Sequence, residues 1–232
     1  MFIVLEGIDG SGKDEIIPKI IRHVKTERIK ITHEPTYRIR PIIGEFNDRR
    51  ALAYLFAADR IENAYVIRSF LDRGYLVLQT RHLLSSLVYQ GASEEDREEI
   101  YRINMPALQI ASPDAIFVIY VDPREALKRI EGKEDRFEKK HVIDRIEDLD
   151  SLYKRASKRL REKGYEIYEV DAQEAVERIV DYINKRLRFF LKTHTLRPRL
   201  PPGFLIESCG IGVSSSTRIT RRPARMRALR AA

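Results

Sequence analysis

Phe2-Ile3-Val4-Leu5-Glu6-Gly7-Ile8-Asp9-Gly10-Ser11-Gly12-Lys13 decides the fold. Four apolar residues of strand type run directly into a G-x-x-x-x-G-K spacing, in the order strand, glycine-rich turn, helix. Glycines let the main chain fold into a nest whose N–H groups converge on phosphate oxygens, and the N-terminus of the next helix adds positive partial charge at the same point. Gly7, Ile8, Asp9, Gly10, Ser11, Gly12, Lys13 and Asp14 are therefore the expected ATP-binding loop, with the Lys13 ammonium reaching the β- and γ-phosphates. The position after the lysine departs from the pattern. A serine or threonine hydroxyl is expected there as a Mg²⁺ ligand, and Asp14 stands in its place. A carboxylate beside a triphosphate is repelled unless a cation lies between them, yet it is itself a strong Mg²⁺ ligand. Asp14 is thus either a metal ligand of unusual type or the mark of a site that has lost part of its function.

Outward from this loop, runs rich in β-branched and aromatic residues predict strands over 2–6, 29–32, 75–79, 115–121 and 165–170. Between them Leu52, Leu55, Phe56, Ile61, Ala64, Ile67, Phe70 and Leu71 recur at helical steps and predict one buried helix face. Ser93 with Asp96 reads as a capping box, and Asp122-Pro123 with Glu125 reads as the start of a further helix. Alternating strands and helices predict an α/β domain with a mostly parallel sheet covered on both faces. Pro18, early in the first helix, removes one backbone donor and is expected to bend it.

The 232 residues, 43% hydrophobic, suffice for one sizeable core. The formal charge of +8 is concentrated at the end of the chain. Residues 193–232 hold eight arginines and one acid, Glu207, a net +7 that leaves +1 for residues 1–192. We read 1–192 as the folded domain and 193–232 as a basic, disordered extension, because Pro, Ser and Arg clusters replace every period there. No aromatic platform accompanies the arginines, so a nucleic-acid partner is not expected. A single cysteine, Cys209, fits a reducing compartment, and no apolar run reaches membrane-spanning length. A soluble, unprocessed, cytoplasmic protein is the expectation.

Several further words resemble the thymidylate kinase family of nucleoside monophosphate kinases. They are the opening stretch, Glu34-Pro35, Leu55-Phe56-Ala57-Ala58-Asp59-Arg60, Ser85-Ser86-Leu87-Val88-Tyr89-Gln90-Gly91, Ser112-Pro113-Asp114, the run from Asp122 to Ile130, and Asp135-Arg136-Phe137-Glu138. The resemblance spans about residues 2–188 and implies a P-loop fold with a five-stranded parallel sheet of order 2-3-1-4-5, a lid and a homodimer. The implied reaction is phosphoryl transfer from ATP to dTMP, giving dTDP and ADP, with Mg²⁺ as cofactor. By the same resemblance Asp9 bonds the sugar 3′-hydroxyl and Phe56 stacks on thymine. Arg60 donates to a base carbonyl, while Glu34, Ser86, Tyr89 and Gln90 line the acceptor pocket and the tyrosine ring crowds a ribose 2′-hydroxyl. Arg38 or Arg40, with Arg81, holds the acceptor phosphate, for which a guanidinium fork is suited. Arg136, with Lys133 or Arg129, sits in the lid and stabilises the transferring group. Lys13, Arg81 and Arg136 are the expected catalytic set.

From the residues alone, Phe56 is as readily a core side chain, Asp59 and Arg60 a helix-surface pair, and 129–145 a solvated helix. The family's Asp-Arg-Tyr or Asp-Arg-His word reads Thr80-Arg81-His82, and the arginine before Glu34 is His33. One account is an exchange: Asp14 supplies near Mg²⁺ the carboxylate missing at Thr80, and Thr80 the hydroxyl missing at Asp14. The rival readings are an inactive nucleotide-binding paralogue and a kinase of another deoxynucleotide or a deoxynucleoside.

Overall fold

The computed structural model describes residues 1–131 and 146–193. The expected lid residues Lys133 and Arg136, and the extension beyond Thr193, lie outside them. Five strands, β1 (Phe2–Glu6), β2 (Ile29–His33), β3 (Leu76–Thr80), β4 (Ala115–Tyr120) and β5 (Ile167–Asp171), form one all-parallel sheet of order β2-β3-β1-β4-β5. The helices are α1 (Lys13–His23), α2 (Arg49–Leu71), α3 (Leu83–Tyr89), α4 (Glu94–Ile110), α5 (Pro123–Glu131), α6 (Ile146–Glu162) and α7 (Ala175–Thr193). Every expected strand is present, with ends that differ by at most two residues.

Successive residues of β1 feed opposite cores, as the pleat requires. Phe2 and Val4 join a cluster with Ala53, Leu84, Ala107 and Tyr153 beneath α2, α3, α4 and α6. Ile3 and Leu5 join another with Ile16, Ile20, Ile179 and Ile183 beneath α1 and α7. All five β1 residues are buried, which is why the strand reads as a continuous apolar run. Ser93 and Asp96 make the reciprocal capping box, and Asp122 Oδ1 accepts the Arg124 N–H at 2.8 Å to open α5. α1 continues through Pro18, whose missing N–H leaves the Asp14 carbonyl without its helical donor.

The buried face of α2 is less apolar than its periodicity predicts. Leu52, Ala64 and Ile67 are buried, but Asp59, Arg60 and Asn63 are buried beside them. The surface-pair reading of Asp59 and Arg60 is thereby overturned, since both lie under the protein surface with other partners. The sheet places β1 between β3 and β4, so connections leave it in opposite directions, and the crevice for a ligand opens at the carboxyl ends of these strands.

Candidate active site

The glycine-rich loop leaves β1 at that crevice. Gly7 has φ 143° and Gly10 φ 79°. A Cβ on Gly7 would lie 2.6 Å from the Ile119 carbonyl oxygen, and one on Gly10 would collide with the Ala126 backbone. The loop is therefore pressed against β4 and α5 in a conformation that only glycine supplies. Gly12 caps α1 without a side-chain bond, so helix N–H groups face the loop. Lys13, 4% exposed, curls back to donate to the Ile8 carbonyl at 3.1 Å and lies 3.8 Å from Asp9 Oδ1. Arg129, on α5, donates to the Gly10 carbonyl at 3.2 Å.

Asp9 is the centre of a charged cluster. Oδ1 also takes the Arg81 guanidinium, and Oδ2 lies 3.4 Å from the Tyr89 hydroxyl. Arg81 stacks over the Tyr89 ring at 5.5 Å. Its backbone is left-handed, φ 63°, a costly conformation for a non-glycine residue. It is held there by its own N–H to the Leu5 carbonyl at 2.9 Å, by Gln79 Nε2 on its carbonyl at 2.9 Å, and by the next N–H, of His82, on Glu6 Oε1 at 2.7 Å.

Gln79 joins this cluster to a second. Its Nε2 also donates to Glu34 Oε1 at 2.9 Å, and Glu34 Oε2 accepts Arg60 Nε at 2.9 Å. Arg60 further donates to Asn104 and, at 3.0 Å, to Ser86 Oγ. Four of its five N–H groups are thus bound among the described residues, which leaves one on Nη1. Asp59 accepts both the N–H and the hydroxyl of Thr36 and so fixes the segment after Glu34. Burial pushes the Glu34 carboxyl up to about 7, a rise that Arg60 partly offsets. Asp9, Lys13, Arg81, Tyr89, Glu34, Arg60 and Ser86 are therefore one bonded unit.

The remaining expected residues lie around it. Phe56, one turn before Arg60, is half-buried and belongs to neither core cluster, which removes the core alternative. Arg38 is exposed and pairs with Glu62 at 3.3 Å, and Arg40 is exposed. Gln90 is the last residue before the turn into α4 and lines a small cavity with Arg50, Tyr54 and Glu99. Asp14 is exposed in the first turn of α1, while Thr80 is 3% exposed at the end of β3. Among the described residues no three His, Cys, Asp or Glu side chains cluster as a metal cage. A Mg²⁺ held mainly by phosphate oxygens needs none, and the accessible Asp14 carboxylate suits such a site.

Sequence reasoning gave no role to Glu6, Gln79, Asn104, Tyr153 and His82, and read Asp59 only as half of a helix-surface pair. A signal existed for three of them. Glu6 and Gln79 are polar residues inside otherwise apolar buried strands, and Asn104 falls on the Ile100–Ala107–Leu108 face of α4. His82 is 3% exposed, meets Phe2 edge-on at 5.8 Å, and its Nδ1 has no partner among the described residues. Burial, then the Arg60 charge, holds it well below its ordinary value of 6.5, so the folded state keeps it neutral. The unfolded chain takes up a proton below that value and the folded chain does not, so this group's stability contribution is lost as pH falls. Comparing urea unfolding at about pH 7.5 and about pH 5.5, the wild type is expected to lose about 1 kcal/mol more than His82→Gln. The opposite contributions of the raised Glu6 and Glu34 carboxyls are common to both proteins and cancel. Equal pH slopes would mean that His82 is protonated when folded.

The family profile described as thymidylate kinase matches residues 5–183. The chain is 34% identical over 165 residues to the thymidylate kinase of Brachyspira hyodysenteriae, covering 65% of this chain and 79% of that protein. It is 32% identical over 197 residues to a probable thymidylate kinase of Pyrobaculum calidifontis, covering 81% and 97%. A solved thymidylate kinase of Candida albicans shares the fold, with a TM-score of 0.61 at 20% identity over 80% of this chain and 92% of that one. With a phosphate loop on β1, a matching sheet order and a match across most of its length, the chain belongs to the thymidylate kinase family.

Proposed function

We propose that the protein transfers the γ-phosphoryl group of ATP to dTMP, giving ADP and dTDP. The observation that carries this is the continuous path of ion pairs and hydrogen bonds from Lys13 and Asp9 through Arg81 and Gln79 to Glu34, Arg60 and Ser86. A donor loop and an acceptor pocket tied into one unit keep two nucleotides in register, which is most of what phosphoryl transfer asks of a protein.

In this reading an acceptor phosphate oxygen attacks the γ-phosphorus in line. The bond to the β,γ-bridging oxygen breaks, and that electron pair leaves with ADP. No covalent intermediate on the protein is needed. The loop N–H groups and Lys13 hold the donor, Arg81 with Arg38 or Arg40 holds the acceptor phosphate, and Arg129 beside Gly10 is the described member of the proposed lid set with Lys133 and Arg136. Phe56, outside both cores, supports a base plate, and the remaining Arg60 N–H supports a bond to a thymine carbonyl. Tyr89 and Gln90 complete the pocket. Bound Mg²⁺ would neutralise charge on the β- and γ-phosphates. The assembly is taken as a homodimer, for which the exposed Tyr65 and Val66 of α2 offer apolar surface, and the compartment as cytoplasmic. Residues 193–232 are taken as a separate basic extension, with no nucleic-acid or membrane partner.

A coupled ADP-release assay with dTMP, dUMP, dCMP and thymidine tests the reading, with dTMP expected to give the highest kcat/KM. Binding of ATP and dTMP with no dTDP formed would favour the inactive paralogue. The metal assignment has its own test. Asp14→Ala is expected to raise the Mg²⁺ concentration for half-maximal rate about tenfold, as loss of an oxygen ligand should. Asp14→Thr combined with Thr80→Asp should retain more activity than the worse single variant, and anything less ends the exchange account.

A further inference from the structure

Tyr153, on α6, is 1% exposed, and its hydroxyl lies where three elements meet. It donates to the Gly7 carbonyl at 3.1 Å and lies 3.1 Å from Ser85 Oγ of α3. Ser85 gives its own proton to Glu6 Oε2 at 2.6 Å, while Glu6 Oε1 accepts the N–H groups of His82 at 2.7 Å and Ser85 at 3.1 Å. With the serine proton committed to Glu6, the single phenol proton faces two acceptors, the loop carbonyl and the serine oxygen. Burial, reinforced by Tyr89 and Glu6, pushes the phenol well above its ordinary value, so it stays a donor. The ring has a second task. Its edge meets the Tyr89 ring at 6.4 Å and 81°, and Tyr89 in turn carries the Arg81 guanidinium on its face and turns its hydroxyl to Asp9.

We propose that Tyr153 is a positioning residue for both substrates: its hydroxyl fixes the peptide plane of Gly7 at the mouth of the phosphate loop, and its ring sets the angle of Tyr89 in the acceptor pocket. Gly7 has φ 143°, a region that glycine enters without a side chain to hold it there, so a buried donor on its carbonyl helps decide where the following N–H groups point. Tyr89 is only half-buried and has no covalent constraint on its ring beyond α3, so the edge contact from below defines how far it leans over the sugar. Small displacements at either place reach the reacting atoms directly. The inference rests on the dTMP kinase reading, and the experiment separates the two.

Two full-length variants split the roles. Tyr153→Phe removes the hydroxyl and keeps the ring, and it is expected to lower kcat/KM for ATP about tenfold while KM for dTMP stays within about twofold. Tyr153→Leu removes both, and it should in addition raise KM for dTMP about tenfold and narrow the preference for dTMP over its ribose counterpart. Both KM values unchanged, with only the melting temperature lowered, would show a packing role and overturn the proposal. Should Tyr153→Leu fail to fold, Tyr153→Phe decides alone, an unchanged kcat/KM for ATP being fatal. If the wild type transfers nothing to dTMP, the reaction assignment fails by itself. ATP affinity by direct titration then decides the Gly7 contact, with weaker binding by Tyr153→Phe expected and equal binding overturning it.

Discussion

Arg81→Lys is expected to lower kcat/KM for dTMP by about 100- to 1000-fold, the range for removing one well-placed donor from a developing or resident anion. The substitution keeps the charge and the left-handed backbone, so it isolates the guanidinium fork. That fork is engaged by Asp9 and its central carbon lies 5.5 Å from the centre of the Tyr89 ring, and a planar, delocalised cation fits this combination better than a tetrahedral ammonium does. The backbone beneath it is pinned from Leu5, Gln79 and Glu6, so the loss should fall on dTMP kinetics and leave KM for ATP and the melting temperature near wild type. Initial-rate kinetics with each substrate varied checks this. Retention of activity within about threefold would remove Arg81 from the acceptor phosphate and return that role to Arg38 or Arg40.

The fold was legible because its signals are local. A phosphate loop between strand and helix, a capping box at Ser93 and an Asp-Pro helix start each depend on a few adjacent residues, and each forms as read. The buried network around Arg60 was harder to read, since it depends on partners far apart in sequence. Arg60 reads as a surface or base-contacting residue until Glu34, Ser86 and Asn104, separated from it by 26, 26 and 44 positions, are brought against it. Tyr153 gives no local hint at all, as its partner Gly7 lies 146 residues away. Periodicity also misled at α2, where polar side chains fill part of the buried face because other elements satisfy them, Thr36 pairing with Asp59, Glu34, Ser86 and Asn104 with Arg60, and Gln79 with Asn63. The same fact separates Phe56 from the core. The inward face of α2 is partly taken by Asp59, Arg60 and Asn63, and Phe56, one turn before Arg60, stays half-buried outside both clusters.

The Glu34–Arg60 pair should respond asymmetrically to loss of its two members. Both side chains are almost wholly buried, at 3% and 2% exposure, so removing either leaves the other without its main partner in a low-dielectric site. A guanidinium keeps its charge at any working pH, whereas a carboxyl can take up a proton and become neutral. Glu34→Gln is therefore expected to cost about 3–5 kcal/mol of unfolding free energy above about pH 7, where the carboxyl is ionised and paired, and more as pH falls from there towards 4.5, because the folded wild type then holds a proton that its unfolded chain has lost and the variant cannot. Arg60→Met should cost less near neutrality, because Glu34, already raised to about 7, rises further and stays protonated. The sign follows from linkage. Below about pH 7 Glu34 is protonated with or without Arg60, and the cost of Arg60→Met is flat. Above it the wild-type carboxyl ionises and is paired, while the variant must hold its proton, so the deficit deepens by about 1.4 kcal/mol per pH unit until the variant's own carboxyl ionises. Glu34→Gln with Arg60→Met should recover most of what Glu34→Gln loses, since no buried charge then remains, yet dTMP binding should stay impaired in all three. Urea unfolding across pH together with KM for dTMP reads both halves of this expectation. Equal, pH-independent costs for the two single variants would mean that the site is wetter than its burial indicates and that the pair does not organise the acceptor pocket.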